Sequence, residues 1–157
     1  LGPFITKIHA WLRPGGILVV NEFVGPSRFQ WTDRQIELAN RLLDGMPARL
    51  KVRPDGTPRP PVYRPGTLAM RVFDPSEAVD SSAIIPLVHE HFDIVEEKMC
   101  GGALMHLVFK DIAHHFLHPD DAALAVLNTC LATEEEEMKA GRIASDFAFI
   151  AARPRSR

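Results

Sequence analysis

Apolar residues near the start of the chain recur at helical spacing. Phe4, Ile5, Ile8, Trp11 and Leu12 fall on one stripe and predict an amphipathic helix. Pro3 suits its first turn, where a missing N–H leaves no acceptor wanting. Arg13-Pro14-Gly15-Gly16 stops the helix and turns the chain. Ile17-Leu18-Val19-Val20 follows, apolar without alternation, which predicts a strand buried on both sides as in a parallel sheet. Thr32 opens a second helix with Gln35 in capping-box position, Ile36, Ala39, Leu42 and Leu43 inward, and Gly45 with Pro47 at its end.

The periodicity lapses between Pro47 and Pro75, where seven of the thirteen prolines sit. A stretch this long predicts a substrate-side loop or an insertion, with one short strand near Leu68–Phe73. Asp74-Pro75-Ser76-Glu77 reads as a helix start, with Asp74 as N-cap and Pro75 in the first position. That helix should run to about His91, Pro86 being tolerable if Ser82 restarts it. Phe92-Asp93-Ile94-Val95 opens a second strand ending near Met99, and Gly101-Gly102 breaks it. Leu104, Leu107, Val108, Ile112 and Phe116 form a further helical stripe. Asp120 suits the N-cap of a last helix, with Leu124, Leu127, Leu131 and Met138 inward, Glu134–Glu137 as a solvated face, and its end at Gly141. The last strand is Phe147–Ala152, and Arg153–Arg157 reads as a basic, frayed tail.

Three strands among several helices define an α/β chain. They make a thin sheet, and Ile17–Val20 wants neighbours that these residues supply only in part. The chain also begins with Leu1 rather than Met, so a fragment or a processed product is the expectation. Its 157 residues suffice for one hydrophobic core. A net charge of -2 provides no basic field for nucleic acid or an anionic membrane surface, so neither is an expected partner. No apolar run approaches the ~20 residues that span a bilayer. Cys100 and Cys130 stand in no metal-type spacing and read as reduced and structural, which together with the lack of a signal peptide predicts a cytoplasmic location. A homo-oligomer is compatible with these features.

The segment Ile8–Gly25, IHAWLRPGGILVVNEFVG, resembles the fifth-strand region of class I, Rossmann-like, S-adenosylmethionine-dependent methyltransferases. In that family a helix ends in a Pro-Gly-Gly turn and feeds a buried strand with a polar or acidic residue at its C-terminal end. DPSEAVDSSAIIPLVHEHFDIVEEKMCGG is similar to the family's next helix and sixth strand, and SDFAFIAA to its antiparallel last strand. The resemblance implies a partial Rossmann-like sheet of the fifth, sixth and seventh strands, the last antiparallel and between the other two, with flanking helices. Residues 1–152 would then be the C-terminal portion of the domain, with 47–75 as the proline-rich substrate-side loop or insertion and 153–157 as a tail. The implied reaction moves a methyl group from S-adenosyl-L-methionine to an oxygen, nitrogen or carbon of a small-molecule acceptor. The sequence departs from the family in one respect that matters for chemistry: it contains no G-x-G loop. Gly15-Gly16 and Gly101-Gly102 are turn pairs. No cofactor-binding residue carries over, and these residues alone are expected to be inactive.

In open α/β sheets ligands bind beyond the carboxyl ends of the strands. Asn21 and Glu22 occupy that position after Ile17–Val20. Glu22 is the candidate catalytic carboxylate, able to accept a proton from an acceptor hydroxyl or amine or to orient it. Its plainer reading is a strand-end group that caps the next turn or pairs with an arginine. Asn21, Tyr63 in the proline-rich stretch, and His106 one turn past Gly101-Gly102 are the candidate substrate contacts; loop packing for Tyr63 and a satisfied histidine for His106 are the alternatives. His89 with His91, and His114 with His118, invite a metal reading, but there is no HExxH and no placed acidic ligand, so no metal is expected. Two rival readings remain. One is a non-catalytic α/β interaction module docking through an unpaired sheet edge. The other, a nicotinamide-dependent enzyme, lacks both the glycine loop and a Tyr-x-x-x-Lys pair.

Overall fold

The computed structural model describes residues 1–155; residues 156–157 of the expected tail lie outside the described residues. It is an α/β structure with one three-stranded antiparallel sheet and flanking helices. The chain forms two compact units, one from residues 1–30, 65–100 and 145 onward, the other from residues 31–64 and 101–144.

The first unit holds α1 (Gly2–Trp11), β1 (Leu18–Phe23), α3 (Thr67–Phe73), α4 (Ile84–His91), β2 (Phe92–Gly101) and β3 (Phe147–Pro154). The sheet order is β1-β3-β2, with β3 antiparallel to β1, pairing Leu18 with Ala152 and Phe23 with Phe147. One sheet face carries the core: Phe92, Ala148, Ile150 and Ala152 are sealed against Ile5 of α1 and Val88 of α4. Burying Phe92, Ile150 and Val88 contributes about 1.5–3 kcal/mol each.

Residues 17–20 correct the expectation of a strand buried on both sides. Ile17 is 49% and Val19 58% exposed, while Leu18 and Val20 pack on the core. Neighbouring strand residues face opposite ways, and here helices cover only one face. Val95 and Met99 of β2 are likewise exposed. On α1, Ile5, Ile8 and Leu12 meet the core, but Phe4 and Trp11 point outward.

Three further expectations change in this unit. Residues 67–73 form α3, not a strand; Leu, Ala, Met and Arg are strong helix formers and Gly66 provides the N-cap. Asp74–Asp80 is a run of turns rather than a helix start. Arg28 donates through Nη1 to the carbonyls of Asp74 and Pro75 and through its backbone N–H to Ala78, taking acceptors that a helix would have used. Helix resumes with a 3-10 turn at Ser81–Ala83 and α4, so Pro86 sits in a first turn where it is harmless. Finally, Arg153 and Pro154 belong to β3 rather than to a tail, and Arg155 is anchored on Asp93 and on the carbonyls of His89 and Glu90.

The second unit holds α2 (Asp33–Gly45), α5 (Met105–Phe109) and α6 (Asp121–Lys139). The Thr32–Gln35 capping box is present in both directions. The proline-rich stretch is held at several points. Asn40 grips both backbone groups of Val62, at 2.7 and 2.9 Å, Val52 bridges to Pro58 across the Asp55-Gly56 turn, and Lys51 Nζ caps α2 at the Leu43 carbonyl. The stripe after Gly102 breaks after Phe109, where Asp111 takes φ 64°, yet Leu104, Leu107, Val108 and Ile112 all remain buried.

Asp120 caps α6 by accepting from the Ala123 N–H. The inward face of α6 differs from the expected one: Ala123, Cys130, Glu134 and Glu137 are buried, whereas Leu124 and Leu131 are 45% and 47% exposed. Glu134 and Glu137 are therefore not solvated. Each is satisfied from outside its own helix, which is what lets a carboxylate be buried. Both cysteines are free thiols; burial, aided by the Glu134 charge, pushes Cys130 up to about 11.

Candidate functional site

The C-terminal end of β1 opens on a cavity of about 520 Å³ in the first unit. Glu22 lines it together with Phe23, Phe29, Glu77, Ala78 and Ser81. Glu22 pairs across the ladder with the buried Ala148, yet Glu22 itself is exposed. Asn21 pairs with Phe149 and does not line the cavity, so of the two adjacent candidates only Glu22 does.

Two strained segments build the cavity wall. Arg28 and Phe29 adopt φ 57° and 53°, and Ala78 φ 45°, conformations that cost a residue with a side chain about 1–2 kcal/mol. They are locked to each other by the Arg28 N–H to Ala78 carbonyl bond of 2.6 Å. Ser27 and Ser82 hydroxyls meet at 2.8 Å, and Ser81 Oγ donates to the Gly25 carbonyl at 2.8 Å. Phe23 stacks edge-on against both Phe29 and Phe147. Gly25 is required here: a Cβ would lie 2.6 Å from the carboxyl group of Asp146, which is 2% exposed. The Asp146 carbonyl in turn accepts the N–H groups of Val24 and Gly25. Arg28 and Ala78 were not legible in the sequence, because no local pattern marks a non-glycine residue that tertiary contacts force to positive φ; nor was Asp146, because its burial depends on residues distant in sequence.

Tyr63 and His106 belong to the second unit. Tyr63 is 71% exposed beside the clamped Val62. His106 is half-buried, its Nδ1 on the Gly102 carbonyl and its ring tilted against Trp31 at 5.7 Å. Burial lowers its pKa, although the Gly102 bond opposes this. A carbonyl only accepts, so Nδ1 carries the proton of that bond.

The glycine pair after β2 has the strand–loop–helix setting of an anion cradle, but its donors are taken. Glu134 accepts from Gly102 N at 2.7 Å, Leu104 N at 2.6 Å and Met105 N at 3.0 Å. A Cβ on Gly101, at φ +74°, would meet Glu134 Oε1 at 2.7 Å. Next along the helix, Glu137 lies between Arg34 and Arg142, and their hydrogen bonds hold its carboxyl at about 2. Among the described residues no group of three or more His, Cys, Asp or Glu could hold a metal ion, and no helix is long and apolar enough to cross a membrane. His89 pairs with Glu97 at 2.5 Å, and His115 with the Val52 carbonyl.

No protein-family model matches the chain, and no curated protein or solved structure is significantly similar to it.

Proposed function

We propose that these residues form the C-terminal, substrate-side portion of a Rossmann-like S-adenosylmethionine-dependent methyltransferase acting on a small molecule. The observation that carries this reading is the sheet order β1-β3-β2, with the last strand antiparallel in the middle. The fifth, seventh and sixth strands of that family have this arrangement. Two features support it: the Pro14-Gly15-Gly16 turn, with Gly15 at φ 80°, leads into β1, and a carboxylate stands at the strand's C-terminal end beside a cavity.

The residues present do not fit the cofactor by themselves. Among the described residues, the glycine pair placed between a strand and a helix has the N–H groups of Gly102, Leu104 and Met105 occupied by Glu134. What this portion would contribute is position: Glu22 orients the acceptor or takes its proton, and the Phe23–Phe29 wall excludes water from one side. Calorimetry of the 157-residue chain with S-adenosylhomocysteine tests the division of labour. No binding at micromolar concentration is expected, and micromolar binding would overturn it. The in-frame coding sequence upstream of Leu1 should encode a strand followed by G-x-G. In a protein carrying both parts, Glu22→Gln should lower methyl transfer about tenfold or more without weakening cofactor binding.

The outer edge of β1, with Val19 exposed beside it, also favours a second reading: a non-catalytic module docking through that edge. A stop codon just upstream of Leu1, together with a stable, monodisperse oligomer by size exclusion, would favour the module.

A further inference from the structure

The first unit holds a second and larger cavity, of about 780 Å³, at the other end of β1, where the Arg13–Gly15 turn meets the start of β2 and the end of β3. Three of the five arginines among the described residues of this unit line it: Arg13, Arg153 and Arg155. Their situations differ. Arg155 is spent on structure, donating to Asp93 at 3.2 Å and to the last carbonyls of α4 at 2.9 and 3.3 Å. Asp93, the one carboxylate in the lining, is thereby neutralised. Among the described residues Arg13 and Arg153 have no ion-pair partner. Among the described residues, Arg13 and Arg153 thus line one cavity whose single lining carboxylate is already paired with Arg155, in a chain whose net charge is -2.

We infer that this cavity binds the phosphate group of a small molecule. Two guanidinium forks match the two charges and the several oxygens of a phosphate dianion, whereas a carboxylate balances only one of the two charges. The volume is that of a small-molecule site rather than a nucleic-acid track, and Leu12, Ile94 and Val95 offer apolar wall to the organic part. Arg155 serves as a positioning residue: by fastening β3 to α4 it fixes where Arg153 projects. His9 adds a second fastening, its Nε2 meeting the Arg155 carbonyl at 3.2 Å while its ring stands edge-on to the buried Phe92. The inference is independent of the methyltransferase reading, which concerns the opposite end of β1.

The test is titration of the 157-residue chain with inorganic phosphate and, separately, with glycerol phosphate, followed by amide chemical shifts. Saturable one-to-one binding is expected, with shifts at Arg13, Asp93 and Arg153. R13Q/R153Q should weaken it about tenfold with the melting temperature unchanged. R13K/R153K should fall between, since lysine keeps the charge and loses the fork. Tighter binding of glycerol phosphate identifies an organic phosphate as the ligand; equal binding identifies phosphate itself. Shifts that never saturate, or binding unchanged in R13Q/R153Q, would overturn the inference. If the glutamine variant does not fold, the lysine variant decides in the same way: weaker binding supports the site and unchanged binding overturns it.

Discussion

Glu134→Ala should be among the most damaging single substitutions in the second unit. The carboxylate is 6% exposed and accepts three backbone N–H groups, those of Gly102, Leu104 and Met105. A hydrogen bond to a charged group is worth about 1.5–3 kcal/mol net, so three bonds would total roughly 5 kcal/mol or more if independent. Removing the carboxylate also returns its own desolvation cost, and water can reach part of the gap, which brings the expected loss to about 3 kcal/mol. In a chain of this length that corresponds to a fall of roughly 6–12 °C in melting temperature.

The control is Glu134→Gln. Its carbonyl can still accept from Leu104 and Met105, but its amide places a donor against the Gly102 N–H, at a cost of about 1–2 kcal/mol. Gly101→Ala approaches the same contact from the other side, with a Cβ 2.7 Å from Oε1 at a positive φ. The double variant should lose less than the sum of the two, because removing the carboxylate relieves the clash. Urea denaturation at constant m measures all four proteins. A loss below about 1 kcal/mol for Glu134→Ala, or strict additivity with Gly101→Ala, would refute the claim that Glu134 holds the loop after β2.

Glu137→Gln should show its effect only over a defined pH range. The carboxyl is held at about 2, below its unfolded value of 4.5, so the stability it contributes is present above about 4.5 and is lost as pH falls toward 2. Urea midpoints of parent and variant should therefore converge across that window; a constant gap would refute the pairing with Arg34 and Arg142. Gly25→Ala drives a Cβ to 2.6 Å from a carboxyl group that is 2% exposed, and should cost about 1–3 kcal/mol, read as a melting-temperature drop. Wild-type stability in that variant would mean that Asp146 has room to move.

The elements with strong local signals were legible in the sequence. The Thr32–Gln35 capping box, the Asp120 cap and the Phe147–Ala152 strand stand where their patterns place them, because a cap or a two-residue alternation is satisfied within a few residues of chain. Glu22 was legible as a strand-end carboxylate for the same reason. The cavity it lines was not. Its wall depends on Arg28 reaching residues 46 and 47 positions away, and that contact also dissolved the helix start expected at Asp74.

The sequence by itself determined the α/β class, the chain order of the three sheet strands, and the turn that leads into β1. Those properties follow from hydrophobic period and backbone chemistry over short spans. Only the tertiary structure decided which faces are covered. Ile17–Val20 reads as doubly buried, yet Val19 is open because helices pack on one side of the sheet alone. Glu134 and Glu137 read as solvated, yet they are buried because donors distant in sequence converge on them. Burial depends on what the rest of the chain brings to a residue, and a local pattern carries no record of that.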